Sequence, residues 1–427
     1  VHRPHLESST EHETPKTTTA KIEELSAGFR IPFPAMESPR VEELTRELSA
    51  LPEEFQRRLH SAGFDEKRLI ALAKTLEGAA DTRRTERNRV RGDVRGPSKE
   101  EILELPPANS AEAKALRDRG NEALAKGEVA LCVMAGGMAT RMGGVVKALV
   151  EVQRGVTFLD MRLAENRAVS ARAGRATPLW LMVSEATRAP IESALRIAHA
   201  PDHVRTFEQT QSLRLNGDGT LFRDADGQPS AYAPGHGDLI DSLRRSKLLD
   251  EFRGNGGKIV WIANLDNLGA TIDEEILGAF LASGKKAMVE VCDKAEGDRG
   301  GIPVHASSAA GDRLQVLEEF RLPPSFDAST VRVFNTNTFL VDADALATAP
   351  IEWNWFEVEK KVDGKPAIQF ERLLQELTGV VDTAYLRVPR EGTVSRFLPV
   401  KDMEELERRR DAILAVALLR GMLTTSP

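Results

Sequence analysis

Cysteine is nearly absent: 427 residues carry two, Cys132 and Cys292, far apart and each inside an apolar run. That excludes a disulfide framework and a cysteine-based zinc site, and it fits a reducing cytosol. Aromatic residues are scarce as well. With 16 Phe, 4 Trp and 2 Tyr, a stacking platform along single-stranded nucleic acid is not expected. There is no excess of positive charge, since 58 Lys and Arg stand against 65 Asp and Glu for a net charge of -7. A general nucleic-acid coat is therefore excluded. No apolar run approaches the roughly eighteen residues of a membrane span. The longest, 412–419, is short and sits after three arginines. Residues 1–21 are polar and Thr-rich, lack the apolar centre of a signal peptide, and read as a disordered tail. The expectation is a soluble, cytoplasmic protein with neither nucleic acid nor membrane as a partner.

What is present divides into three zones, a length suited to two or three domains. Residues 22–127 carry helix signals. Leu44, Leu48, Leu51 and Phe55 recur at helical spacing, and Leu69, Leu72 and Leu76 mark a second segment. Ser98 with Glu101 three residues on predicts a capping box opening a new helix. Ser110 predicts another cap, for a helix ending near Gly127. Between them, Arg83, Arg84, Arg87, Arg89, Arg91 and Arg95 read as a solvated connector beside acidic neighbours rather than a phosphate site. Residues 128–401 change character. The apolar runs 129–134, 178–183, 259–263 and 288–292 alternate with amphipathic stretches. Uninterrupted apolar strands between helices predict a largely parallel, doubly covered sheet in a three-layer α/β domain. Residues 402–427 predict one helix over 403–423, which suits packing on the main domain or a dimer seam equally; monomer and dimer both stay open.

The strongest chemical signal follows the first buried strand, which runs into Ala135-Gly136-Gly137-Met138-Ala139-Thr140-Arg141-Met142-Gly143-Gly144, with Lys147 soon after. Paired glycines at a strand end let the backbone approach a ligand with free amides turned toward it. Arg141 and Lys147 add charge where phosphate oxygens would lie. No Gly-Lys-Ser/Thr follows, and no Gly-x-Gly-x-x-Gly is present, so neither a Walker loop nor a dinucleotide turn fits. A second strand ends in Asn264-Leu265-Asp266-Asn267-Leu268-Gly269. A carboxylate just past the carboxyl end of a strand lies where open α/β sheets hold ligands. Asp266 suits Mg²⁺, which needs only one or two carboxylates, and equally suits a turn into the next helix. Gly235-His236-Gly237-Asp238 precedes a predicted helix over 238–252. Asn335-Thr336-Asn337 follows a short apolar run, with amides fit for sugar hydroxyls or for an Asx turn.

Together these features resemble the UDP-sugar pyrophosphorylase family over residues 128–401. The glycine loop is similar to the family's Gly-Gly-x-Gly-Thr-x-x-Gly signature, with Lys147 as its lysine. Leu181-Met182-Val183-Ser184, Phe207-Glu208-Gln209, Gly235-His236-Gly237-Asp238, the Asn264–Gly269 stretch and Phe334-Asn335-Thr336-Asn337 follow in family order. So do Lys360-Lys361-Val362-Asp363-Gly364, Gln369-Phe370-Glu371 and Arg396-Phe397-Leu398-Pro399-Val400-Lys401. The resemblance implies a nucleotidyltransferase on a Rossmann-like sheet, joining UTP to a sugar 1-phosphate with Mg²⁺. It places Gly136, Gly137, Met138 and Ala139 on uridine and phosphates, Gln209 on the uracil edge and Gly235 by the base. His236 and Asn264 would lie near ribose and sugar phosphate, Asn335 near the hexose, and Asp266 on Mg²⁺. Lys147, Arg141 and Lys401 would neutralise phosphates, Lys401 as the family's catalytic lysine, with Lys360 assisting at the sugar phosphate.

Gly235-His236-Gly237-Asp238, Asn335-Thr336-Asn337 and Arg396-Phe397-Leu398-Pro399-Val400-Lys401 resemble the glucose 1-phosphate branch, whereas the stretch 120–130 resembles the N-acetylglucosamine branch. Glucose is the expected sugar, with N-acetylglucosamine or a broad sugar range as the alternative. Three departures stand out. Ala139 replaces a family Gly, Val146 replaces a proline, and the β-helix domain that usually follows the catalytic lysine is not expected here. A Cβ at a position needing positive φ costs about 1 kcal/mol. The departures therefore keep a second class in view, a nucleotide-sugar-binding sensor of low turnover.

Overall fold

The computed structural model describes residues 39–76, 79–139, 142–298, 300–308 and 310–423. The expected tail at 1–21 lies outside them. At the centre is an eight-stranded sheet. Its strands in chain order are β1 (Ile102–Glu104), β2 (Val129–Met134), β3 (Leu179–Val183), β4 (Val204–Glu208), β5 (Ile259–Asn264), β6 (Ala287–Asp293), β7 (Val333–Asp342) and β8 (Thr383–Arg387). Across the sheet they run β1-β8-β6-β7-β5-β2-β3-β4. Consecutive residues of β2, β3 and β5 are buried, so both faces of the sheet are covered, which is what their unbroken Val, Leu, Ile and Trp content demands.

The sheet is parallel-dominated, as predicted, with one departure. Strand β7 runs antiparallel to both of its neighbours, β5 and β6. The chain winds from β2 outward to β3 and β4, then crosses back to place β5 on the other side of β2. The carboxyl ends of β2 and β5 therefore part company at a switch point, with Asn264 level with Met134. Crevices of this kind are where open α/β sheets accept ligands.

Several local expectations meet a different context. Ser110 does cap a helix, Ala111–Lys126, its Oγ accepting from the Ala113 amide at 3.0 Å, and Gly127 ends it with φ 74°. Yet Ala123 and Leu124 belong to the main core, and β1 joins the main sheet beside β8. The boundary drawn at 127/128 thus does not separate two structural units. The capping box at Ser98 forms, but it opens a single 3-10 turn, Lys99–Glu101, that feeds β1 rather than an α-helix. The helix predicted over 238–252 is two, Asp238–Ser246 and Leu248–Gly254, broken at Lys247 with φ 65°. The last helix spans Met403–Leu419 and is followed by Gly421 at φ 69°.

The first three helices, Pro39–Ser49, Glu53–Ser61 and Glu66–Ala73, build a second, smaller core. Leu44, Leu48, Leu59 and Leu69 pack there on Leu213, Leu215, Ile368 and Phe370. The arginine run divides: Arg89, Arg91 and Arg95 are exposed, as a solvated connector would have them, whereas Arg83, Arg84 and Arg87 are not. Arg83 and Arg84 both reach Glu357, whose side chain is fully buried, and Arg84 also holds Glu359 at 2.7 Å. Arg87 lies over the Phe370 ring. These contacts fasten the helix Ala80–Asn88 to the hairpin Phe356–Val362/Lys365–Glu371. Among the described residues no helix is long and apolar enough to cross a membrane.

Candidate active site

A cleft of about 460 Å³ opens at the switch point, reached by Gly136, Gly137, Lys147, Gln209, Asn264 and Asp266 among others. One end is built by backbone closeness. Ser184 Oγ donates to the Gly136 carbonyl at 3.0 Å, and a side chain on Gly136 would run into Gln209 Oε1. Gln209 leaves β4 with its amide on the Val183 carbonyl, and its Nε2 donates to the Gly235 carbonyl at 3.0 Å. Gly235 has φ 81°, and a Cβ there would lie 2.5 Å from the Arg372 carbonyl. No other residue type fits both demands. Asp238, fully buried, then anchors the loop, accepting from the Thr210 amide and hydroxyl at 2.6 Å each, from Ser242, and from Arg372. His236 Nδ1 accepts from the Leu374 amide at 3.1 Å. Burial pushes its pKa down to about 4, so the ring is neutral at pH 7.

The other end carries charge. Met138–Ala139 pairs antiparallel with Val145–Val146, turning through Gly143 and Gly144 at positive φ. Ala139 itself is buried in extended backbone with no positive φ, so the Cβ there carries no strain. Val146 sits at φ -65°, the angle a proline would lock. Both departures from the family signature are thus accommodated. The Lys147 ammonium donates to Asp266, each side chain 18% exposed. Met138 is 38% exposed and does not line the cleft. Arg141 lies outside the described residues.

Two buried groups that the sequence did not single out hold Asp266 in place. Arg162, with no exposed surface, donates to the carbonyls of Asn264 and Asn267 at 2.6 Å each and of Ala270 at 3.1 Å. Glu165 balances its charge at 2.6 Å. Asn267 ties the same loop to the chain's last segment, donating to the Arg396 carbonyl and accepting from the Leu398 amide at 2.7 Å. Arg396 is in turn buried on Glu290. The only sequence signal for Arg162 is a charged residue inside the apolar run Phe158-Leu159-Asp160-Met161-Arg162-Leu163.

Asn335-Thr336-Asn337 lies within β7 and makes the Asx contact that was one of its two expected readings, the Asn337 amide donating to Asn335 Oδ1. Asn337 lines the cleft and Asn335 does not. Asn337 sits at φ 61°, its Nδ2 donating to Asn264 Oδ1 at 3.0 Å and its amide to Asn335 Oδ1 at 2.8 Å. Its own Oδ1 is buried without a partner. Two of the expected lysines stand apart. Lys360 is on the hairpin, 47% exposed and 3.3 Å from Glu371. Lys401 is exposed and outside the cleft's lining, and its charge acts on Asp298. Burial pushes the Asp298 pKa up, but the Arg390 hydrogen bond, the Ala295 amide and the charges of Arg390 and Lys401 together hold it below the ordinary value.

A mixed sheet with a cleft at its switch point, a glycine loop on one side and a lysine–aspartate pair on the other, defines an α/β protein whose candidate site lies at its strand ends. The model of the UTP–glucose-1-phosphate uridylyltransferase family matches residues 86–417, and the chain belongs to that family. Curated relatives of that description include the one from Musa acuminata, 30% identical over 328 residues (72% of this chain, 65% of the relative). The Hordeum vulgare protein is 30% identical over 327 residues, 72% of this chain and 64% of the relative. The chain thus spans just under two-thirds of their length. In fold it is similar to UDP-glucose phosphorylase from Trypanosoma brucei, with a TM-score of 0.65 at 22% identity over 87% of this chain and 79% of that one. UDP-N-acetylglucosamine pyrophosphorylase from the same organism gives 0.63 at 18% identity, covering 82% of each chain.

Proposed function

We propose that the protein is a uridylyltransferase that makes a UDP-sugar and pyrophosphate from UTP and a sugar 1-phosphate, glucose 1-phosphate by preference. The observation that carries this reading is one cleft joining the Gly136–Gln209–Gly235 pocket to the Lys147–Asp266 pair. A phosphate oxygen of the sugar 1-phosphate attacks the α-phosphorus of UTP. The bond from that phosphorus to the bridging oxygen breaks, and pyrophosphate carries the electron pair away. The attacking monoester is ionised at neutral pH, so no general base is required. A neutral His236, already committed to the Leu374 amide, fits that chemistry. What the chain must do is hold two polyanions in register.

The glycine loop amides and Gln209 position uridine, and Lys147 draws phosphate oxygens toward the attack line. Asn264 and Asn337 present amides to the sugar side, where the unpartnered Asn337 Oδ1 suits a hydroxyl donor. Asp266 would hold Mg²⁺. A single carboxylate beside a phosphate site fits an ion that takes its remaining ligands from phosphate and water. Bound there, the ion would offset charge on the phosphates. Lys401 and Arg141 belong to the same proposal as further phosphate-neutralising cations. The two free, buried thiols suit a cytoplasmic location.

The test is pyrophosphate release from UTP with glucose 1-phosphate, N-acetylglucosamine 1-phosphate and other sugar 1-phosphates, with and without Mg²⁺. Release that depends on glucose 1-phosphate is expected. No release with any sugar, from protein that still binds UTP, would overturn the enzyme reading in favour of a sensor.

A further inference from the structure

Asn267 follows Asp266 directly and has no exposed surface. Its side-chain amide bonds to main chain 129 and 131 residues further on. Nδ2 donates to the Arg396 carbonyl at 3.0 Å, and Oδ1 accepts from the Leu398 amide at 2.7 Å. These two groups flank Phe397, and they are the pair that the peptide of a neighbouring strand would take. An amide side chain presents a donor and an acceptor side by side, which this pair requires. A carboxylate at 267 would set an acceptor against the Arg396 carbonyl.

Two further contacts close the same joint. Gly269 lies against Ser395, where a Cβ would stand 2.7 Å from the Ser395 carbonyl. Arg396, buried on Glu290, also donates to the Thr271 carbonyl at 2.7 Å. The stretches 266–271 and 395–398 are therefore packed as one body. The first carries Asp266 into the cleft, and the second leads to Lys401, three residues beyond Leu398. Val400 is fully buried, which extends the anchoring to the residue before the lysine, and the Lys401 amide donates to Glu405 at 2.8 Å. A buried asparagine with both bonds made is ordinarily a structural residue. Asn267 is set apart by what it joins. On the uridylyltransferase reading, these are the carboxylate that would hold Mg²⁺ and the segment of a phosphate-neutralising lysine.

We propose that Asn267 is a positioning residue that keeps the Lys401 segment in register with Asp266, so that binding at Asp266 is transmitted to Lys401. The proposal rests on the uridylyltransferase reading and adds to it a residue that touches neither substrate.

Pyrophosphate release would be measured for Asn267→Asp, for Lys401→Ala and for the double variant, with Asn267→Ser in place of the aspartate where that variant does not fold. Asn267→Asp is expected to lower kcat about 30-fold or more while KM for UTP changes less than about threefold, because the base end does not contain Asn267. In the Lys401→Ala background the same substitution is expected to cost less than about threefold, since the lysine it positions is gone. Losses that multiply in the double variant would mark a merely structural asparagine and overturn the proposal. So would a kcat for Asn267→Asp within about threefold of the unaltered chain. Hydrogen exchange reads the coupling without turnover. UTP with Mg²⁺ is expected to slow exchange in both 264–271 and 395–401 of the unaltered chain, and in 264–271 alone of Asn267→Ser. A 395–401 segment that does not respond in the unaltered chain, or responds equally in the variant, overturns the proposal whatever the kinetics. The expected exchange pattern in a chain that releases no pyrophosphate with any sugar would instead sink the uridylyltransferase reading and leave the joint standing.

Discussion

The two ends of the cleft are built differently. The end made by Gly136, Gln209, Gly235 and His236 is finished without a ligand. Its close contacts are backbone to side chain, Gln209 is already bound to Gly235, and His236 to Leu374. The end made by Lys147 and Asp266 is self-neutralised. Its two charges hold each other, and Lys401 and Lys360 stand elsewhere. Pre-formed pockets bind with little ordering cost, which suits the discrimination of a flat base. Paired opposite charges are poised differently: each avoids the penalty of a lone, partly buried ion, and on the proposed function phosphate and Mg²⁺ would replace its partner. On the proposed function, recognition would be set in advance at one end and charge exchanged at the other.

The largest effect tests the scaffold under the charged end. Arg162→Met leaves Glu165 buried without a counter-charge and frees three carbonyls of the Asp266 loop. A loss of about 3–5 kcal/mol in urea unfolding is expected. A loss under about 1 kcal/mol would mean that the loop holds its shape without Arg162. Next comes Lys147→Ala. It is expected to lower kcat by about 100-fold or more while uridine binding falls far less, because the base end does not contain Lys147. Equal losses in both would erase the contrast between the ends.

The pH dependence of stability reads the finished end. His236 has its pKa pushed down to about 4 in the folded chain by burial. The unfolded chain takes up that proton near 6.5, so between those values it holds more protons than the folded chain. Stability therefore rises with pH across this window and is lost as pH falls from about 6.5 toward 4. His236→Gln should flatten the slope by up to about 1.4 kcal/mol per pH unit. An unchanged slope in urea melts at a series of pH values would show a solvated, ordinary histidine instead.

What the sequence made legible was local. The run Val129–Met134 is a strand to the residue, and the helix between Ser110 and Gly127 has both of its caps where the side chains announce them. The glycine loop, Gln209, Asn264 and Asp266 converge because each sits at or just past the carboxyl end of a strand of the central sheet, whereas Gly235 and His236 arrive from the separate ribbon of Ser212–Leu213 and Ala231–Tyr232. What was not legible depends on partners far away in the chain. Three residues of β1 carry too short a pattern to announce a sheet strand, and nothing in β7 states which way it runs. Arginines read as surface residues until a partner is known. Arg162 is buried because its partners are carbonyls about a hundred residues on, and Arg83 because of Glu357.

Lys360 gives the smallest and most discriminating prediction, since resemblance and structure part over it. The resemblance puts it at the sugar phosphate. The structure puts it on an outward hairpin, opposite Ala367, with Glu371 at 3.3 Å as its counter-charge. An ion pair of that exposure contributes about 0–1 kcal/mol. If the hairpin stays where it is during turnover, Lys360→Ala should change kcat/KM for the sugar 1-phosphate by less than about threefold, a cost within the range of a lost surface pair. If instead the hairpin closes over the cleft once substrates are bound, the loss should exceed about tenfold and fall on the sugar 1-phosphate rather than on UTP. Steady-state kinetics with each substrate varied in turn separates the two. A large loss confined to the sugar would mean that the charged end gains a cation from the hairpin on binding, and the difference between the two ends would then be one of motion as well as charge.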